Sequence, residues 1–198
     1  MPAFEPQAHV GPGWLPGVAC WRSPNCGPRP PDARIDTVIV HSISLPPGEY
    51  GGEQVHALFM NQLDWDAHSY FQQIRGLQVS AHFFIRRSGE IFQYVSCDER
   101  AWHAGASSWR GRHNCNDYSI GIELEGLEGG TFEPAQYTQL ASLLRRLKEV
   151  YSIAQVLGHE HVAPGRKFDP GSGFDWTGLQ ETVAWPLQCF PALSFLKS

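Results

Sequence analysis

The chain has 198 residues, within the roughly 100–200 of one domain, and 42% of them are hydrophobic against 18% charged. That balance excludes a disordered tail protein, and a net charge of −5 without a basic block excludes the footprint of nucleic-acid binding. No apolar run approaches the roughly 18 residues of a membrane helix, so neither nucleic acid nor membrane is expected as a partner.

The first nineteen residues carry no Lys or Arg and are broken by Pro2, Pro6, Pro12 and Pro16. Neither the positive nor the apolar region of a signal peptide is present. Val18-Ala19-Cys20 has the small residues of a lipoprotein processing site without the apolar stretch before it. Five cysteines (Cys20, Cys26, Cys97, Cys115 and Cys189) make an odd count with no CxxC pair, which predicts free thiols in a reducing compartment. Pairing or metal binding by Cys20 and Cys26 is the alternative. The expectation is a cytoplasmic monomer.

Residues 1–34 read as an extended N-terminal arm, because Pro and Gly interrupt every possible helix. The folded domain is then expected over 35–198. Ile35 to Ile43 is β-branched and apolar in its middle, as in a buried strand, and Leu45 to Gly52 is a loop. Glu53 to Leu63 predicts a short helix. Val79 to Arg86 and Glu90 to Ser96 predict a hairpin around Ser88-Gly89. Residues 98–118 read as a long functional loop holding Trp102, His103 and Trp109. Ser119 to Glu125 alternates: Ile120, Ile122 and Leu124 take one face, Gly121, Glu123 and Glu125 the other. Tyr137, Leu140, Ala141, Leu144, Leu147 and Tyr151 follow helical spacing from Pro134, which suits a first turn. Residues 158–174 form a Pro/Gly-punctuated loop, and a short helix follows Asp175. Strands interleaved with helices predict an α/β (α+β) single domain with a central mixed β-sheet flanked by helices.

Three groups of residues can carry chemistry. His41 closes the first buried strand, where side chains emerge at a sheet edge; a histidine there, taken alone, is more often a hydrogen-bonded core residue than a ligand. His159 and Asp169 are ten residues apart, with turns between them that can fold the loop back on one point. Two histidines and a carboxylate make a three-ligand set with an open fourth position. His161, two residues from His159, stays open as a ligand if the chain is extended there. Glu123 lies beside Gly121, whose missing side chain leaves room above the sheet; a carboxylate in a partly apolar cleft suits general acid–base work. The alternative is that Glu123 and Glu125 form the solvated face of a strand. Lys167 precedes Asp169 by two residues and can stabilise an oxyanion or stand as a surface lysine.

VIVHSISLPPGEYGG, VSAHFFIRRSGEIFQYV, AWHAG, NDYSIGIELEG and GHEHVAPGRKFDPGSGFDW resemble, in order, the motifs of the AmpD-type N-acetylmuramoyl-L-alanine amidases. These belong to a zinc amidase superfamily with the peptidoglycan recognition proteins and phage-type amidases. The likeness runs from about Trp14 to Trp176. It implies a zinc site on one face of the sheet, one zinc per chain, with His41, His159 and Asp169 as ligands and His161 as a non-ligand. It implies Glu123 and Lys167 as catalytic residues, and Ser42, Tyr70 and Trp102 near the substrate. Ser42 stands where asparagine is common, and Gln78 and Asn114 where some members carry arginines that meet the peptide's carboxylates.

The function the resemblance implies is hydrolysis of the bond between the lactyl group of 1,6-anhydro-N-acetylmuramic acid and L-alanine in cytoplasmic peptidoglycan recycling, with an anhydromuramyl-peptide as substrate. A lytic amidase of intact wall would need export or release. A peptidoglycan-binding protein without catalysis would have lost a ligand, and here all three positions are filled.

Overall fold

The computed structural model describes residues 11–191. Its Pro/Gly-rich N-terminal part supplies two short strands, β1 (Ala19–Cys20) and β2 (Cys26–Pro28). Next come β3 (Thr37–Ile43) and two short helices, α1 (Gln54–Phe59) and α2 (Ser69–Gln73). The hairpin strands β4 (Phe83–Ile85) and β5 (Ile91–Gln93) follow, with Gly89 supplying the positive φ of 88° that their turn requires. The segment 98–118 is not a plain loop. It holds β6 (Glu99–Ala101) and the small ribbon β7 (Ser108–Trp109) and β8 (Arg112–His113). β9 (Ser119–Glu125), α3 (Pro134–Val150), β10 (Gln155–Gly158), α4 (His159–Val162) and α5 (Trp176–Val183) complete the order.

Six strands make one mixed sheet in the order β1-β5-β4-β9-β3-β10. Only the β4–β5 pair is antiparallel; β3, β4, β9 and β10 run parallel. Both ends of the expected hairpin leave the ladder early, because other segments satisfy their backbone: Ser80 N–H donates to Trp102 O at 3.1 Å. β2 pairs with β6 outside the main sheet.

Alternation along the central strands separates two faces. Val38 and Val40 of β3 and Ile120, Ile122 and Leu124 of β9 pack against Leu140, Leu144 and Leu147 of α3 and Leu179 of α5. Each buried leucine contributes about 1.5–3 kcal/mol by leaving water. Gln136 anchors α3 to the sheet: its side chain accepts from Glu133 N–H at 3.0 Å and donates to Glu125 O at 3.0 Å and Ile85 O at 3.2 Å. Held on that side, the sheet turns Ile39, His41, Gly121 and Glu123 to the opposite face, where the loops collect.

Candidate metal centre and active site

Three parallel strands end together at one edge of the sheet, the edge where open α/β sheets hold their ligands. Register sets His41 of β3 directly beside Glu123 of β9. Gly158 of β10 pairs with Val40, so the next residue, His159, falls close to His41. The loop after α4 then returns Asp169 to the same point. His41 Nδ1 lies 3.0 Å from His159 Nδ1 and 3.1 Å from Asp169 Oδ2, and His159 Nδ1 lies 3.2 Å from the same oxygen. All three residues are buried.

The chemistry of these atoms suits a cation. His159 Nε2 is 3.1 Å from Ala104 O, and a carbonyl can only accept, so the ring proton sits on Nε2 and the Nδ1 lone pair faces its neighbours. Burial, then the adjacent His159, pushes His41 down to about 4, so its imidazole is neutral at pH 7. Burial works to raise Asp169, but its contacts with His159 and His41 outweigh this and hold it well below the usual carboxylate range. Two imidazoles and one carboxylate converge with their ligand atoms within 4.8 Å of one another and an open side toward a cleft. That donor set fits a three-ligand zinc site.

His161 does not join them. α4 starts at His159, and residues two apart on a helix point to different sides. The His161 ring instead accepts Gly158 N–H at 2.8 Å and packs edge-on to Trp176.

The cleft beside the three ligands has a volume of about 320 Å³ and is lined by Glu123, Lys167, Ser42 and Tyr70 among others. A second lobe of about 300 Å³ shares His103, His159 and Lys167 with it and adds Trp102. All five residues expected around the substrate and the chemistry therefore border one two-lobed cleft. Glu123 Oε2 is buried and has no hydrogen-bond partner among the described residues. Burial and the neighbouring Asp169 drive its carboxyl well above the ordinary value, with Lys167 opposing. A carboxyl raised in this way is suited to take up a proton and give it back during a reaction.

Glu125 differs from Glu123 although it shares the strand face. It is 4% exposed, and its carboxylate accepts backbone N–H groups of Gly51 at 2.5 Å and Arg87 at 3.0 Å. Nor is the space above Gly121 open: a Cβ there would lie 2.5 Å from Cγ of His103. Sequence reasoning also passed over Arg166, whose Nη2 donates to Ala104 O at 2.7 Å and to Ala106 O at 2.7 Å. Arg166 directly precedes Lys167, and that adjacency was its only sequence signal.

A convergent donor set with a proton-accepting carboxylate on the neighbouring strand is the layout of metal-assisted hydrolases. Comparison with known proteins narrows the class. Residues 31–172 match the N-acetylmuramoyl-L-alanine amidase family, and the chain belongs to that family. It is 51% identical over 174 residues to the 1,6-anhydro-N-acetylmuramyl-L-alanine amidase AmpD of Salmonella typhimurium (strain SL1344), covering 87% of this chain and 93% of the relative. A crystal structure of a selenomethionine derivative of AmpD superposes with a TM-score of 0.85 at 49% identity, covering 88% of this chain and 99% of the other. The amidase AmiD of E. coli, solved with anhydro-N-acetylmuramic acid-L-Ala-D-γ-Glu-L-Lys, superposes with a TM-score of 0.56 at 30% identity, covering 78% and 60%.

Proposed function

We propose that this amidase cleaves the amide between the lactyl group of 1,6-anhydro-N-acetylmuramic acid and L-alanine in soluble muropeptides. The anhydro-sugar specificity in the name of the Salmonella relative and the substrate bound to AmiD support this choice. His41, His159 and Asp169 would hold one zinc ion, which as a Lewis acid would polarise the amide carbonyl and acidify water at neutral pH.

The observation that carries the reading is the orphaned Glu123 Oε2 on the strand next to His41. Glu123 accepts a proton from the attacking water, and its raised pKa lets it release that proton to the departing amine nitrogen. Lys167, bordering both lobes, places an ammonium where the amide oxygen gathers negative charge. Tyr70 and Trp102 flank the sugar and peptide from the two lobes, and Ser42 offers a buried hydroxyl without a partner among the described residues. The work takes place in the cytoplasm, as part of peptidoglycan recycling: the five cysteines form no disulfide among the described residues, as in a reducing compartment. No helix of the described residues is long and apolar enough to cross a membrane.

Purified protein should release the peptide from anhydromuramyl-tripeptide, lose that activity with a chelator, regain it with zinc, and act poorly on intact wall. Glu123→Ala should lower turnover by about two to four powers of ten while zinc content stays near one per chain. Equal rates for Glu123→Ala and the parent would remove Glu123 from the chemistry. Preference for intact wall would replace recycling with lysis.

A further inference from the structure

His103 packs directly behind His41, on the side away from His159 and Asp169. It is 8% exposed, and its ring fills the space that Gly121 leaves. Its Nδ1 lies 2.9 Å from His41 Nε2, and its Nε2 lies 3.2 Å from Ser119 Oγ. Ser119 Oγ in turn lies 2.6 Å from Cys115 O. Two oxygens at that distance need a proton between them, and only the hydroxyl has one.

The direction of every proton then follows. Ser119 gives its proton to Cys115 O, so its Oγ can only accept from His103 Nε2–H. A neutral His103 with its proton on Nε2 has a bare Nδ1, which accepts from His41 Nε2–H. A neutral His41 with its proton on Nε2 has its Nδ1 lone pair free, aimed at His159 and Asp169. We infer that His103 is a positioning residue that selects this tautomer of His41 and aims it into the metal group, with its own tautomer dictated by the carbonyl of Cys115. This inference rests on the assignment of His41 as a metal ligand.

A second observation makes the arrangement specific to this loop. The next residue, Ala104, offers the carbonyl that sets the tautomer of His159. Asn116 Oδ1 accepts from both His103 N–H at 3.2 Å and Ala104 N–H at 2.8 Å, which locks the two residues together. One short segment therefore orients both histidines of the group. Outer partners of this kind typically hold a factor of about 10–100 in metal affinity.

The test combines metal affinity with nitrogen NMR. In the chelated parent protein, two-dimensional 15N–1H spectra should show His41 protonated on Nε2. His103→Phe keeps the ring volume and removes the acceptor; zinc affinity by competition with a chromophoric chelator should fall about 10–100-fold, and the His41 proton should move to Nδ1. His103→Asn returns an acceptor near the Nδ1 position and should recover most of the affinity. Ser119→Ala, a milder change, should weaken zinc in the same direction. A His41 proton on Nδ1 in the parent would overturn the inference, as would His103→Phe that binds zinc as tightly as the parent. If instead the parent binds no zinc, or His41→Ala keeps parental affinity, the metal assignment fails, while the NMR result still decides the tautomer.

Discussion

Glu123 and Glu125 share one face of β9 and are separated by a single residue, yet one carboxylate is orphaned and the other is enclosed by backbone donors. Glu125→Ala would remove the acceptor of Gly51 N–H and Arg87 N–H, at about 0.5–1.5 kcal/mol net for each hydrogen bond, because Gly51 is exposed and Arg87 half-buried. The expected result is a lower melting temperature with zinc content unchanged; a melting temperature equal to the parent's would show that water replaces the carboxylate at no cost. Alternation in the sequence assigns both residues to one face because side-chain direction is local. Depth is not local: it depends on which loop covers each position, and the loops here come from residues 51 and 87. His103 was illegible in its metal-orienting role for the same reason, since its partner His41 is 62 residues away.

β9 and β3 were readable because buried strands carry their signal in every residue, and α3 because its apolar stripe recurs over seventeen residues. α2, β6, β7 and β8 are two to five residues long, too short for either period to register. The four-residue helix α4 had the same effect on the site, since an extended chain and a helix give opposite answers for His161. Within β9, Gly121 is the position with no tolerance. Gly121→Ala should push the His103 ring away from His41 and cost about 1–3 kcal/mol by overpacking. It should weaken zinc binding as well, measurable by the same chelator competition; a stable Gly121→Ala protein with parental zinc affinity would mean the ring shifts without consequence for His41.

Across the whole molecule, buried neutral histidines set the response to acid. Burial, then the nearby Arg29, pushes His82 down to about 3. Burial also pushes His56 down to about 4, with Glu53 opposing and Arg86 assisting. Unfolded, both imidazoles take a proton near 6.5. Between pH 6.5 and about 4 the unfolded chain thus binds more protons than the folded one. Stability is full above pH 6.5 and falls as pH drops, by up to about 1.4 kcal/mol per pH unit for each histidine. Chelated protein should lose melting temperature from pH 7 to 4.5, and His56→Gln should show a shallower slope. A flat profile over that range would contradict the buried neutral state. Arg29 joins this region to the N-terminal strands: its guanidinium donates to Cys97 O, Asn116 O, Asp117 O and Ser119 O. Residues 1–10 of the expected arm lie outside the described residues, and the composition of the rest gave no sign of that contact, because a single arginine among prolines does not show what it will meet.

The parallel pairing of β3 with β10 also governs when the site comes into being during synthesis. His41 leaves the ribosome 128 residues before Asp169, which is roughly 6–26 s at about 5–20 residues per second. Until His159 emerges, 118 residues after His41, the nascent chain holds one histidine of the group and neither of its partners. β3 meanwhile can pair with β9, and the sheet can close over α3, before any cation has a place to bind. Under the proposed metal assignment, loading can only follow the emergence of Asp169, and a chain arrested before Gly158 can bury part of its core without bringing the three donors together.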